Sequence, residues 1–422
     1  MDNLKTVSEA AELLNVSIDT IRRWDKRKMI KSYRSPKNYR LFNLEEIERL
    51  NNKINGKDTT NYYTILKSPS TKYKVIELFA GGGGTANGFH NAGLQHVHAS
   101  DIDKDSADTL KNNLKDGEIL CEDVKVLNNT NYFKKIKADI VQGGFPCQAF
   151  SYAGKKLGFE DTRGTLFHEF ARCVKTVKPT IAIGENVRGL HRHDEGRTLK
   201  TMLNSLREIG YRVSYTIMRA QYLDVPQKRE RLIIYAIRDL KKNKNIKFLK
   251  PKEKDYTIPI RDALKKCPLS EGAKYPDRKK EILSHVPQGG YWRDLPLELQ
   301  KEYMRKSFYL GGGKTGMARR LSWDEPSLTL TCAPAQKQTE RCHPDETRPL
   351  TVREYARIQV FPDNWAFSGS LSSQYKQIGN AVPVNLAYHI GRCVISMLDK
   401  KYDKSQMEEF EEWFPNSQLN IF

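Results

Sequence analysis

The chain has 422 residues, 38% hydrophobic and 29% charged, with a formal net charge of +20. That length allows two or three domains around a sizeable core, and the cation excess points to a polyanionic partner, most simply nucleic acid. Seven scattered cysteines without a CxxC pair argue against a disulfide framework or zinc ribbon; a reducing, cytoplasmic setting with no metal site and no membrane partner is expected.

Residues 1–55 form a self-contained unit. Residues 7–14 are a short amphipathic helix, and Ser17 is placed as the N-cap of a second, basic helix over 18–27. Residues 33–42 suggest a hairpin around Pro36-Lys37-Asn38, and 44–50 a closing helix. The arrangement resembles the winged helix-turn-helix of MerR and excisionase-type DNA-binding domains. In such a unit the second helix enters the major groove with Thr20, Arg22 and Arg23 forward, while Arg34, Lys37 and Arg40 touch phosphates or the minor groove. Residues 56–72 are mostly polar and are expected to be a linker, with Tyr62-Tyr63-Thr64-Ile65-Leu66 as a docking patch within it.

At Lys74 the pattern changes. A buried strand over 75–79 leads into Ala80-Gly81-Gly82-Gly83-Gly84, a helix, and a second strand ending in Asp101-Ile102-Asp103. This is a βαβ nucleotide-binding opening: glycine lets the backbone approach a ligand, and an acidic residue about twenty positions on holds ribose hydroxyls. Gly81-x-Gly83-x-x-Ala86 also fits the dinucleotide pattern, so NAD and S-adenosylmethionine both stay open at this point. Glu122-Asp123-Val124 suits a hydrogen bond to an adenine amino group and, equally, an ordinary strand-end turn.

A short strand over 138–141 then runs into Gly143-Gly144-Phe145-Pro146-Cys147. Such a tight, exposed turn suits a reactive side chain, and Cys147 is the candidate nucleophile. The polar, glycine-punctuated stretch 154–166 beside it is expected to be a lid. A strand over 181–187 carries Glu185 at its end, where catalytic groups of α/β sheets sit. Arg229 and Arg231 open a later strand at i and i+2 and should share a face. Residues 239–345 lose periodicity and carry dense lysine and arginine in glycine-rich loops suited to base edges. Thr351 with Glu354 predicts a capping box. Residues 377–385 are expected to be a loop before a last helix over 386–398, and the tail shows no clear role.

Together the Pro-Cys turn, Glu185-Asn186-Val187, Gln227-Lys228-Arg229-Glu230-Arg231 and Gly379-Asn380-Ala381-Val382 resemble bacterial DNA (cytosine-5) methyltransferases, in that family's usual order and over residues 74–397. The resemblance implies an α/β, Rossmann-like methyltransferase fold with a mixed seven-stranded sheet. It implies a catalytic domain from 73–238 and 346–400, a target-recognition domain at 239–345 and a C-terminal tail at 401–422. It assigns Cys147 to attack C6 of cytosine, Glu185 to act as acid at N3, Arg231 to bind O2, and Arg229 to orient Glu185 or a phosphate. S-adenosylmethionine would be held by Phe79, Gly81, Gly83, Asp101, Ile102, Asp123, Val124, Pro146, Asn380 and Val382. The family often has an aromatic where Ile102 stands; Ile keeps the apolar contact and loses stacking. The loop from Ser151 to Arg163 would close over a flipped base, both residues touching DNA. The expected partners are double-stranded DNA, bound by a single copy of the chain, and, functionally, a restriction endonuclease. A transfer-RNA cytosine methyltransferase and a DNA-binding transcription regulator are the alternatives.

Overall fold

The computed structural model describes residues 4–26, 29–35, 38–54, 63–146 and 165–415. Cys147, Ser151, Arg163 and the expected lid fall outside the described residues.

The N-terminal unit runs β1 (Leu4–Thr6), α1 (Val7–Leu13), α2 (Ile18–Lys26), β2 (Ser32–Arg34), β3 (Arg40–Asn43) and α3 (Leu44–Ile54). Thr6 and Glu9 close a capping box on α1, and the Ser17 hydroxyl accepts from the Thr20 amide at 3.1 Å, as an N-cap should. Strand β3 lies between β1 and β2, antiparallel to both. Ala10, Ile21, Phe42 and Ile47 fill a small core of their own.

The strands of the large sheet are, in chain order, β4 (Lys74–Leu78), β5 (Gln95–Asp101), β6 (Glu118–Cys121), β7 (Ile140–Gly143), β8 (Ile181–Val187), β9 (Tyr211–Arg219) and, after the two-residue β10 (Gln227–Lys228), β11 (Glu230–Arg238). The helices between them are α4 (Gly84–Ala92), α5 (Lys104–Asn113), α6 (Val124–Asn129), α7 (Leu166–Val177) and α8 (Arg197–Glu208). The spatial order is β6-β5-β4-β7-β8-β11-β9. Strands β4 to β8 are parallel, and β11 runs antiparallel to both β8 and β9. Strand periodicity divides the core between the two faces. Val75, Ile140, Ile181, Ile183, Ile233 and Tyr235 face one side; Ile76, Val141, Ala182, Leu232, Ile234 and Ala236 face the other.

Three boundaries differ from the sequence-based expectation. Beyond β11 come β12 (Phe248–Pro251), α9 (Ile260–Leu264), α10 (Asp277–Ser284), α11 (Leu297–Met304) and β13 (Ser327–Leu328). Phe248, Leu249, Ile260 and Leu264 pack into the catalytic core. The separate small core is built from residues such as Tyr275, Leu283, Trp292, Tyr303 and Cys342, so the inserted unit is shorter than 239–345. Second, Thr351 and Glu354 cap α12 (Val352–Ile358) as expected, but the stretch before the last helix is itself helical: α13 (Leu371–Asn380) precedes α14 (Val384–Asp399). Helix α14 is apolar because it is a core element that lies against α4; a Cβ on Gly88 would sit 2.4 Å from both Ala387 Cβ and Val384 O. Third, the tail is structural. Its β14 (Met407–Phe410) pairs antiparallel with β12, Trp413 is buried against the core beside Leu206 and Val213, and Glu412 pairs with Arg207 and Arg212 at 3.0 and 3.2 Å.

Trp413→Ala should therefore cost about 3 kcal/mol, the usual loss for an aromatic-to-Ala change in a core. Denaturant unfolding of the full chain would read it; a wild-type midpoint would show that the tail contributes no core.

Candidate active site

The carboxyl ends of β4, β5, β7 and β8 share one edge of the sheet, and a cavity of about 410 Å3 opens there. Its walls include Phe79, Gly81, Asp101, Ile102, Pro146, Glu185, Arg231, Asn380 and Val382, all singled out by sequence. They converge from strand ends far apart in the chain.

One end of the cavity is organised by Asp101. Its Oδ2 accepts the Gly81 amide at 2.8 Å and its Oδ1 the Asp103 amide at 2.9 Å. Burial raises its pKa, against those two donors. The carboxylate thus shapes the glycine loop as well as facing the cavity. Beside it Ile102 is 70% exposed, an apolar surface with no protein cover at the rim. Phe79 takes a left-handed φ of +57°, which turns the chain from β4 into the loop.

The other end is a charge pair. Glu185 Oε1 lies 2.6 Å from Arg231 Nε, both side chains mostly buried; the Nε–H is not aligned for a hydrogen bond, so the contact is an ion pair. Burial lowers the Arg231 pKa and Glu185 opposes that shift. Asn186 performs a task its sequence position did not reveal. Its Nδ2 donates to Phe145 O at 2.8 Å and its Oδ1 accepts the Val187 amide at 2.9 Å, tying the end of β8 to the turn that leads to Pro146 and Cys147. Gly144 is small for a reason visible here: a Cβ would lie 3.1 Å from Glu185 Oε2.

Four expected residues lie elsewhere. Arg229 is 2% exposed and makes no contact with Glu185. Its Nη1 donates to Leu330 O at 3.1 Å and its Nη2 to Gly379 O at 2.8 Å, and burial lowers its pKa strongly. It cross-links the returning insert to the wall of the cavity, and Arg231 alone of the two meets Glu185. Gly83, at φ +85°, is the N-cap of α4, and its missing side chain makes room for Trp365. Asp123 caps α6, accepting the Lys125 amide at 2.8 Å, and Val124 is buried in the core. None of these lines the cavity. Thr85, Gln142, Lys376 and Gln377 do, and no motif marked them.

In the N-terminal unit, Arg22 and Arg23 are exposed on α2, Arg22 pairing with Asp19 at 3.2 Å. Thr20 Oγ1 is 2.9 Å from Ser17 Oγ. Arg40, expected to touch DNA, pairs with Asp25 at 3.0 Å, which fastens the hairpin to α2.

Comparisons with known proteins bear on this geometry. Residues 6–42 match the MerR family regulatory protein model. Type II methyltransferase M.Eco47II of Escherichia coli is 53% identical over 410 residues, spanning 94% of this chain and 96% of its own. Type II methyltransferase M.PspPI of Psychrobacter sp. (strain TA137) is 48% identical, spanning 94% and 97%. A solved E. coli protein described as a prophage-encoded DNA modification methyltransferase shares the fold, with a TM-score of 0.55 at 23% identity, over 78% of this chain and all of its own. Residues 73–396 match the model for C-5 cytosine-specific DNA methylases, and with relatives this close the chain belongs to that family of DNA-modifying enzymes.

Proposed function

We propose that the chain transfers a methyl group from S-adenosylmethionine to C5 of a cytosine in a specific short duplex sequence, through a flipped-out base and a covalent Cys147–C6 adduct. The observation that carries this reading is the cavity itself. It has one end walled by Asp101 and Ile102 and an acid–base end at Glu185 and Arg231, and Pro146 on its wall directly precedes Cys147. The cofactor fits the first end. Gly81 has no atom within 4 Å of where its Cβ would be, leaving the loop open to a ligand. Asp101 offers acceptors for ribose hydroxyls, and uncovered Ile102 offers a surface for adenine. When bound, the cofactor supplies an electrophilic methyl group.

The residues of the chain do the rest. Carbon 5 of cytosine is too weak a nucleophile until a thiolate adds at C6 and makes the ring an enamine. Cys147 provides the thiolate. Negative charge then grows at N3, where Glu185, entering this step as the protonated acid, delivers its proton and is left as the carboxylate that Arg231 pairs with. Arg231 holds that carboxyl in place and donates to the cytosine O2. A water takes the C5 proton as base, the electron pair re-forms the C5–C6 double bond, and Cys147 leaves as thiolate, which restores the aromatic ring. Flipping is required because C6 cannot be reached inside a stacked duplex.

We further propose that the reaction protects DNA from a cognate restriction endonuclease, a role favoured by the type II relatives. The N-terminal unit would repress transcription of the chain's own operon, a reading that the MerR match supports.

Cys147→Ala should abolish methylation of duplex DNA, and Glu185→Gln should slow it by about 10²–10⁴-fold. Methyl incorporation into duplex DNA and transfer RNA, with bisulfite sequencing of host DNA, checks this; activity in Cys147→Ala or preference for transfer RNA would refute it. The two arginines should separate. Arg229→Ala should cost about 3 kcal/mol in unfolding by orphaning buried carbonyls, whereas Arg231→Lys, which keeps a cation beside the buried Glu185 but loses the planar donor, should lower turnover about 10²-fold with a smaller loss of stability. Footprinting of residues 1–70 on the upstream promoter should show a protected site; uniform cleavage would remove the regulatory role.

A further inference from the structure

Among the described residues, the cavity wall holds one buried and unpartnered polar atom that the reaction scheme leaves unused. Gln142 lies in β7, two strands from Asp101 and next to the strand that carries Glu185. It is 2% exposed, yet it lines the cavity. Its Oε1 is buried with no hydrogen-bond partner. A buried carboxamide oxygen without a partner costs about 1–3 kcal/mol and calls for an explanation. The sheet offers an obvious cheaper choice, since the two preceding β7 residues, Ile140 and Val141, are apolar and fully buried.

The surroundings narrow the ligand group. The point where a Cβ of Gly144 would stand is 3.8 Å from Gln142 Nε2, 4.0 Å from Phe79 O and 3.1 Å from Glu185 Oε2. Gln142 therefore borders the stretch of cavity between the ribose-binding carboxylate and the acid that serves the base. A carbonyl oxygen and a carboxamide both border that point. That pair suits a small zwitterion: the backbone oxygen accepts from an ammonium, and a carboxamide can turn either edge to an ammonium or a carboxylate.

We propose that Gln142 hydrogen-bonds the amino-acid end of the methyl donor. The inference rests on the cofactor reading above and deepens it. The apolar wall at Ile102 and the carboxylate of Asp101 recognise the nucleoside, and Gln142 with Phe79 O recognises the amino acid. Holding both ends fixes the sulfur between them and aims its methyl group toward the base pocket.

The test compares two ligands on the full-length protein by calorimetry, without turnover: S-adenosylhomocysteine, which carries the amino acid, and 5′-methylthioadenosine, which lacks it. Gln142→Leu and the unbranched Gln142→Met should weaken S-adenosylhomocysteine about tenfold, the loss expected for a hydrogen bond to a charged group. Both variants should leave 5′-methylthioadenosine binding unchanged. Equal losses for both ligands, or none in either variant, would overturn the assignment and leave Gln142 a structural residue. Melting temperatures identify a variant that has not folded, and the other then decides. If the wild-type protein binds neither ligand, the cofactor reading itself fails.

Discussion

Strand β11 enters the sheet against the direction of its neighbours, so its first residues, rather than its last, lie at the edge where β4, β5, β7 and β8 end. In the antiparallel register Ile233 faces Glu185 and Arg231 faces Val187. The guanidinium of Arg231 reaches back one diagonal step to the Glu185 carboxylate, the distance over which long side chains meet across a ladder. A parallel strand in the same place would put the arginines at the opposite end of the sheet. The charge pair at the Glu185 end of the cavity is therefore a result of topology. It needs a buried cation, and the strong core pairing of β11 on both sides stabilises that arrangement.

The glycine loop is held by residues almost three hundred positions away. Trp365 Nε1 donates to Gly82 O at 3.1 Å. A Cβ on Gly82 would meet Gln377 Cβ at 2.9 Å, and one on Gly84 would meet Val382 O at 2.2 Å. Of the four glycines from 81 to 84, Gly81 alone has open space beside it. The run is glycine-rich for two separate reasons: one position faces the cleft, and three let α13, Trp365 and the turn before α14 close on the backbone. The Asp101 end of the cavity is thus completed by the C-terminal part of the chain. Arg229 joins the same assembly through Gly379 and Leu330, coupling the cavity wall to the returning insert.

This divides what the residues announce from what they do not. Strand ends carrying Asp101 and Glu185 were legible because an apolar run followed by a carboxylate has few meanings in an α/β sheet. The capping box at Thr351 was legible because it depends on residues three apart. Arg229 was misread because period two correctly puts it on the face of Arg231, while its partners are backbone carbonyls from 330 and 379 that no local pattern encodes. Gln142 sat unremarked in an apolar strand, since one amide between valine and glycine leaves no periodic trace. Strand β14 was missed because its partner β12 is more than 150 positions earlier, and a charged sequence such as Met407-Glu408-Glu409-Phe410 becomes a strand only when that edge is there to pair with.

The junction between the two DNA-directed units lies elsewhere than composition suggests. Sequence composition puts a linker at 56–72, and the methylase match begins at 73. Packing begins earlier. Tyr63 OH donates to Arg357 O at 3.0 Å, Asn385 receives the Leu66 amide at 3.1 Å and donates to Thr64 O at 2.7 Å, and Ser68 meets Tyr388 at 2.7 Å. Asn385 is fully buried and also donates to Asp224 O, just before the arginine strand. Residues 63–73 are therefore a strap on α14, whose first turn adjoins the cavity, and they are part of the catalytic unit. From Ile54 to Tyr63 nine peptide steps span at most about 30 Å, less than one helical turn of DNA at roughly 34 Å. That reach ties the end of α3 to the strap, so the N-terminal unit stays tethered close to the catalytic unit.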